Sequence, residues 1–116
     1  MALDPAQPTL IPPGRQAGVV FFDRRELNRL LGLYGRMVAA GHWRDYAIDH
    51  LKDATVFSVF RRASEAPLYR IEKHPALARR LGAWRVLAHG GLVLTRGPEL
   101  EGVLRLFDRA RLTVVK

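Results

Sequence analysis

The chain has 116 residues, a formal net charge of +8, 48% hydrophobic residues and no cysteine. That length is one domain with room for one core. The absence of cysteine excludes thiol catalysis and Cys-based zinc sites, and it favours a reducing compartment, so a cytoplasmic location is expected.

Residues 1–17 contain Pro5, Pro8, Pro12 and Pro13 and no periodic apolar pattern, so they read as a disordered tail. They lack the apolar core of a secretory signal. No apolar run in the chain approaches the ~18–20 residues that span a bilayer, so no membrane partner is expected. A single globular domain is expected over residues 18–116, beginning with Val19 to Phe22 as a short strand that is apolar on both faces.

The first helix is the best-marked element. Asp23 is a good N-cap, Glu26 completes a capping box three residues on, and Phe22 and Leu27 stand at the positions of a hydrophobic staple. Leu27, Leu30, Leu31, Tyr34, Met37 and Val38 form one apolar face, and Gly41 supplies the stop. Arg25, Arg29 and Arg36 fall on the side opposite Leu27, Leu31, Tyr34 and Val38. Beside them lie the small residues Asn28, Gly32, Gly35 and Ala39. Two interior glycines cost about 1 kcal/mol each relative to alanine. Close approach of another backbone would offset that cost. It could come from a partner, such as the same helix of a second subunit in a homodimer, or from a strand or loop of the same chain.

Short strands follow. Arg44 to Leu51 alternates, with Tyr46 and Ile48 on one side and Asp45 and Asp49, together with Trp43, on the other. Lys52 to Ala54 reads as a turn. Thr55 to Arg62 is rich in β-branched and aromatic residues and reads as a strand, Ala63 to Pro67 as a turn, and Leu68 to Lys73 as the third strand of a meander. Pro75 opens a helical turn closed by Gly82. Trp84 to His89 and Leu92 to Thr95 flank Gly90 and Gly91, the signature of a hairpin turn that needs positive φ. Gly97-Pro98-Glu99 starts a second helix whose buried stripe is Leu100, Val103, Leu104 and Phe107, and Leu112 to Val115 reads as a last strand. This order predicts an α+β fold: a mostly antiparallel sheet of short strands with two main helices packed on one face.

The words FDRREL, LYGRMVAAG, WRDYAIDHL, VFSVFRRASE and PLYRIEK, from Phe22 to Lys73, resemble a small uncharacterised alphaproteobacterial family, domain of unknown function 2794. The resemblance extends from Val19 to the C-terminus. It implies a free-standing, cytoplasmic, one-domain protein, and it implies no activity, so no catalytic residue is carried over.

No catalytic residue, metal ligand or cofactor site is expected from the residues themselves, and a non-enzymatic protein is the expectation. Asp45 and Asp49 would stand about 13 Å apart along a strand, too far for a carboxylate dyad, and Asp45 is expected to pair with an arginine across the sheet. His42, His50, His74 and His89 share no metal-ligand spacing. The charge is the stronger signal. Leu51 to Arg96 holds nine basic and three acidic residues, a net +6. Within it Arg61, Arg62, Arg70, Lys73, Arg79, Arg80 and Arg85 are interleaved with Phe60, Tyr69 and Trp84. Arginine forks suit phosphate and exposed aromatics can stack on bases, so these seven residues are the candidate polyanion site, for nucleic acid first or for an acidic protein. Alternation alone would give the opposite arrangement, aromatics in the core and arginines in water. The alternative function is a protein-interaction or regulatory module, with a homodimer through the first helix as one form of it.

Overall fold

The computed structural model describes residues 15, 16, 18–62 and 66–115. Strand β1 (Arg15–Gln16) pairs antiparallel with β2 (Val19–Val20) around Gly18, whose φ is +80°. Pairing therefore starts at Arg15, ahead of the boundary expected at Gly18. The rest of the expected tail lies outside the described residues, as does most of the expected Ala63–Pro67 turn.

Helix α1 (Arg24–Ala39) begins as its sequence dictates. The Asp23 carboxylate accepts from Glu26 N at 2.8 Å, and the Glu26 carboxylate accepts from Asp23 N at 2.8 Å. It ends in a Schellman motif: Gly41, at φ +85°, donates to Val38 O, and His42 donates to Met37 O. Five strands then run as one antiparallel meander: β3 (Asp45–His50), β4 (Thr55–Phe60), β5 (Tyr69–Lys73), β6 (Trp84–Ala88) and β7 (Val93–Gly97). The Pro75–Leu77 single turn of 3-10 helix joins β5 to β6. Gly90 and Gly91, both near φ +85°, turn β6 into β7. Helix α2 (Leu100–Val115) follows.

The register sorts side chains by face. One row carries Phe57, Ile71 and Val86 across the middle strands, all fully buried, and α1 lays Leu30, Leu33 and Met37 on this inner face beside Val103, Leu104 and Phe107 of α2. The outer face carries Asp45, Asp49, Val56, Ser58, Phe60, Arg70, Glu72, Arg85, Leu87 and Arg96. The α+β architecture and the antiparallel meander thus match the sequence pattern.

Three local expectations are corrected. Residues 112–115 are helical, the last turn of α2 and not a strand. No glycine or proline follows Gly102, so helix propagation outweighs the weak β preference of Thr113, Val114 and Val115. Trp43 is buried against Phe107 and Tyr69 and does not share a face with Asp45 and Asp49. The cause is local: Arg44 N donates to Phe60 O, the residue that Asp45 already faces, which adds a residue to the edge and breaks the alternation there. The centre of the buried face of α1 is Leu30, Leu33 and Met37, with Leu27, Leu31 and Tyr34 on one flank. Arg29 occupies the other flank, where its Nε meets Glu101 of α2 at 2.5 Å.

Candidate polyanion interface

The seven predicted basic residues do not form one surface. Arg61 and Arg62 follow β4 and are exposed at the end of the sheet where Tyr69, Ala88 and the Gly90–Gly91 turn lie. Arg79 and Arg80 are also exposed, but they follow the Pro75–Leu77 turn at the opposite end, beyond Lys73 and Trp84. The four paired steps of β5 between these ends span roughly 13 Å.

Three of the seven, Lys73, Arg85 and Arg70, make ion pairs within the fold. Lys73 is 7% exposed on the inner face. Its Nζ donates to Glu26 Oε1 at 2.6 Å and to Phe21 O at 3.1 Å, and it lies 5.9 Å from the centre of the Trp84 ring. One carboxylate therefore caps α1 and neutralises the inner cation of β5. Arg85 donates from Nε to Glu72 Oε1 at 2.8 Å. Glu72 is 5% exposed, yet it also meets His74 Nε2 at 2.8 Å and Arg70 Nε at 3.3 Å. Burial pushes the Glu72 carboxyl up, but the hydrogen bonds from His74 and Arg85, with the charges of Arg85 and Arg70, hold it below its ordinary value.

The aromatic residues of the stretch divide by face. Trp84 is buried and Tyr69 packs edge-on against Phe107, both on the inner side, while Phe60 alone of the three is on the outer face. A row of stacking platforms for bases is therefore not what the sheet presents. Alternation sends Tyr69 and Trp84 inward and Arg70 and Arg85 outward.

What the fold does assemble is a basic sheet end. Arg70 is 41% exposed in its side chain. It lines a cleft of about 420 Å³ together with Ala66, Pro67, Ala88, His89, Gly90 and Gly91. Arg61 and Arg62 extend from the neighbouring strand at this end, and Arg44, exposed, is held there by its amide bond to Phe60 O. Asp45 is the acidic neighbour at this level. It faces Phe60 across the sheet and makes no ion pair among the described residues, so the expected Asp45–arginine pairing is not found. Sequence reading missed Arg44 and His89 as members of this group. Arg44 lies outside the basic stretch in the chain, and only strand pairing brings it beside Arg61.

The small face of α1 is outward. Asn28, Gly32, Gly35 and Ala39 are exposed, and a Cβ added at Gly32 or Gly35 would meet nothing within 4 Å. Among the described residues, no strand or loop of the same chain fills this face. On the apolar flank, the Tyr34 hydroxyl donates to Arg44 O at 2.6 Å. Its pKa is raised by desolvation, and also by Asp45 and Tyr46.

Among the described residues no helix is long and apolar enough to cross a membrane, and no group of three His, Cys, Asp or Glu side chains converges as a metal site. The model of a family described as "Protein of unknown function (DUF2794)" matches residues 20–104. No curated protein and no solved structure matches the chain.

Proposed function

The chain belongs to the DUF2794 family, proteins of unknown function, and we propose that it is a non-enzymatic, cytoplasmic binding module that holds a phosphate polymer, nucleic acid first, at the basic end of its sheet. The observation that supports this is the placement of Arg44, Arg61 and Arg62, all exposed, at the one end of the sheet that also holds a cleft walled by Arg70 and His89. Guanidinium groups take phosphate oxygens in a two-pronged fork that lysine cannot reproduce. With Tyr69 and Trp84 turned inward, recognition runs through the backbone phosphates, so it is insensitive to base sequence and steeply dependent on salt. Binding, not catalysis, is also what the buried carboxylate supports, because Glu72 is occupied by His74, Arg70 and Arg85.

The test is a fluorescence-polarisation titration with labelled single- and double-stranded nucleic acid at two salt concentrations. Expected is micromolar binding at near-physiological salt, weakened about tenfold by Arg61→Ala with Arg62→Ala. Arg79→Ala with Arg80→Ala, at the other end of the sheet, should change it by less than about twofold. Equal losses from the two pairs would reduce the effect to net charge. No binding to nucleic acid, with retention of an acidic polypeptide, would move the reading to an acidic protein partner.

A further inference from the structure

The sheet has two edges, and they are guarded differently. At one edge, β7 carries Arg96, and its pairing with β6 is interrupted by a register shift between Val86 and Leu87. Charge and irregularity of this kind blunt an edge against further pairing. At the other edge, β3 pairs with β4 in continuous register from Asp45 to His50 and, among the described residues, with no strand on its other side; only its last residue, His50, is touched there, by Phe21 and the Val20 carbonyl. Those six residues contain no proline and no lysine. Leu51 N donates to Ala54 O, and in this register the odd-numbered residues of β3 exchange bonds with β4. The amides and carbonyls of Tyr46, Ile48 and His50 therefore point off the open edge.

The side chains around this edge define what would fit. On the inner side, Tyr46 is 42% exposed and Ile48 half-buried, and the overhanging flank of α1 presents Leu31, Tyr34 and the 39% exposed Val38. A strand added to β3 would place alternate side chains against this apolar wall. On the outer side, Asp45 and Asp49 are both exposed, and neither has a cationic partner among the described residues. The intervening side chains of an added strand would lie beside these two carboxylates. Cross-strand neighbours of opposite charge stabilise a pair and like charges oppose it. Two copies of this chain pairing edge to edge would crowd four aspartates onto one face, which disfavours a second copy as the occupant.

We infer that β3 is a strand-addition site for an extended segment of a partner protein in which apolar residues alternate with basic ones. This edge meets the basic sheet end at Asp45 and runs away from it to His50, and it selects the opposite charge in its partner. Main-chain bonds supply affinity in this mode and the alternate side chains supply selectivity.

A fluorescein-labelled, end-capped hexapeptide alternating valine and arginine is the probe, with a peptide carrying glutamate in place of arginine as control. Amide hydrogen exchange gives the location. Expected is saturable binding of the arginine peptide, with exchange at Tyr46, Ile48 and His50 slowed at least about tenfold. The glutamate peptide should leave these three amides unprotected even where it associates with the basic end. Asp45→Lys with Asp49→Lys, two exposed positions whose replacement leaves the core intact, should abolish the protection while the circular dichroism spectrum is unchanged. No binding at about 1 mM peptide, unchanged exchange at the three amides, or full protection in the double variant would each overturn the inference. A concentration-dependent dimer that protects the same amides without peptide would overturn it in favour of self-pairing. Arg61→Ala with Arg62→Ala leaves β3 unchanged, so it should keep the peptide protection while weakening nucleic-acid binding, and loss of the protection in that variant would overturn the inference.

Discussion

Lys73 and Arg61 are basic residues of the same stretch, yet the fold uses them in opposite ways. Lys73 is buried, bound to Glu26 and the Phe21 carbonyl, and joins the first turn of α1 to the middle of the sheet. Arg61 is exposed beyond the end of β4, beside Arg62 and within reach of the end that carries Arg44 and the Arg70 cleft. Around Lys73 and Glu72 the cations are structural; around Arg61 they face solvent. A count of charges along the chain weighs both alike. Only the second kind is available to an anionic partner, so the region of the molecule with the most internal ion pairs is the poorer candidate for binding one.

The sharpest way to break this contrast is at the end of the sheet that carries Lys73 and Trp84. Gly82 adopts φ +89°, and a Cβ there would overlap the Gly97 carbonyl and Pro98 N. Neither neighbour is a side chain that can swing away. Gly82→Ala adds left-handed strain to a backbone collision, and a loss of about 3 kcal/mol is expected in urea denaturation. A loss below about 1 kcal/mol would mean that the turn carrying Arg79 and Arg80 is not packed on the strand end as described.

The next effect separates the two kinds of cation directly. Lys73→Met keeps the stem and removes the charge, leaving the Glu26 carboxylate half-buried with only the Asp23 amide. The expected cost is about 2–3 kcal/mol, below that of a fully buried pair because Glu26 retains some contact with water. Arg61→Ala with Arg62→Ala should change stability by no more than about 0.5 kcal/mol while weakening nucleic-acid binding. Similar stability losses in both variants would erase the distinction.

A smaller effect comes from acid. The Glu72 carboxyl is held below its ordinary value of 4.5, so its ion pairs contribute stability that is fully present above about pH 4.5 and is lost as pH falls through the lower value of the folded state. Glu101, lowered first by its hydrogen bond from Arg29, acts in the same direction from an exposed position. Chemical denaturation at a series of pH values should show the decline, and Glu72→Gln should flatten it. A variant with the same acid limb as the parent would take Glu72 out of the account.

Much of this was legible in the sequence because it is written in local rules. The Asp23–Glu26 capping box, the stop at Gly41, the Gly90–Gly91 turn and the α2 stripe each depend on residues within a few positions of one another. What escaped depends on pairing. Trp43 turns inward because Arg44 adds a residue opposite Phe60, and no local pattern marks that bulge. The end of α2 read as a strand because Thr113, Val114 and Val115 favour one in isolation, whereas a helix already formed has no breaker there. The candidate site was legible only as a composition. Strand register sends Lys73 inward, sets Arg85 beside Glu72, places Arg79 and Arg80 at the far end, and brings in Arg44 from outside the stretch.

The smallest effect concerns a third surface, where the question is again whether a costly feature belongs to the fold or to a partner. Gly32 and Gly35 lie in the interior of α1, exposed, with open space where each Cβ would be. Among the described residues nothing packs where either side chain would be. Gly32→Ala and Gly35→Ala should therefore each raise stability by about 0.5–1 kcal/mol, through lower entropy of the unfolded chain. Light scattering over a dilution series decides what the glycines are for. If the parent chain associates with itself and the double alanine variant does not, the small face is where a second copy rests, and the glycines permit that approach. If both remain monomeric and the variant is the more stable, α1 has no need of glycine for its own folding, and a self-association role for Asn28, Gly32, Gly35 and Ala39 falls.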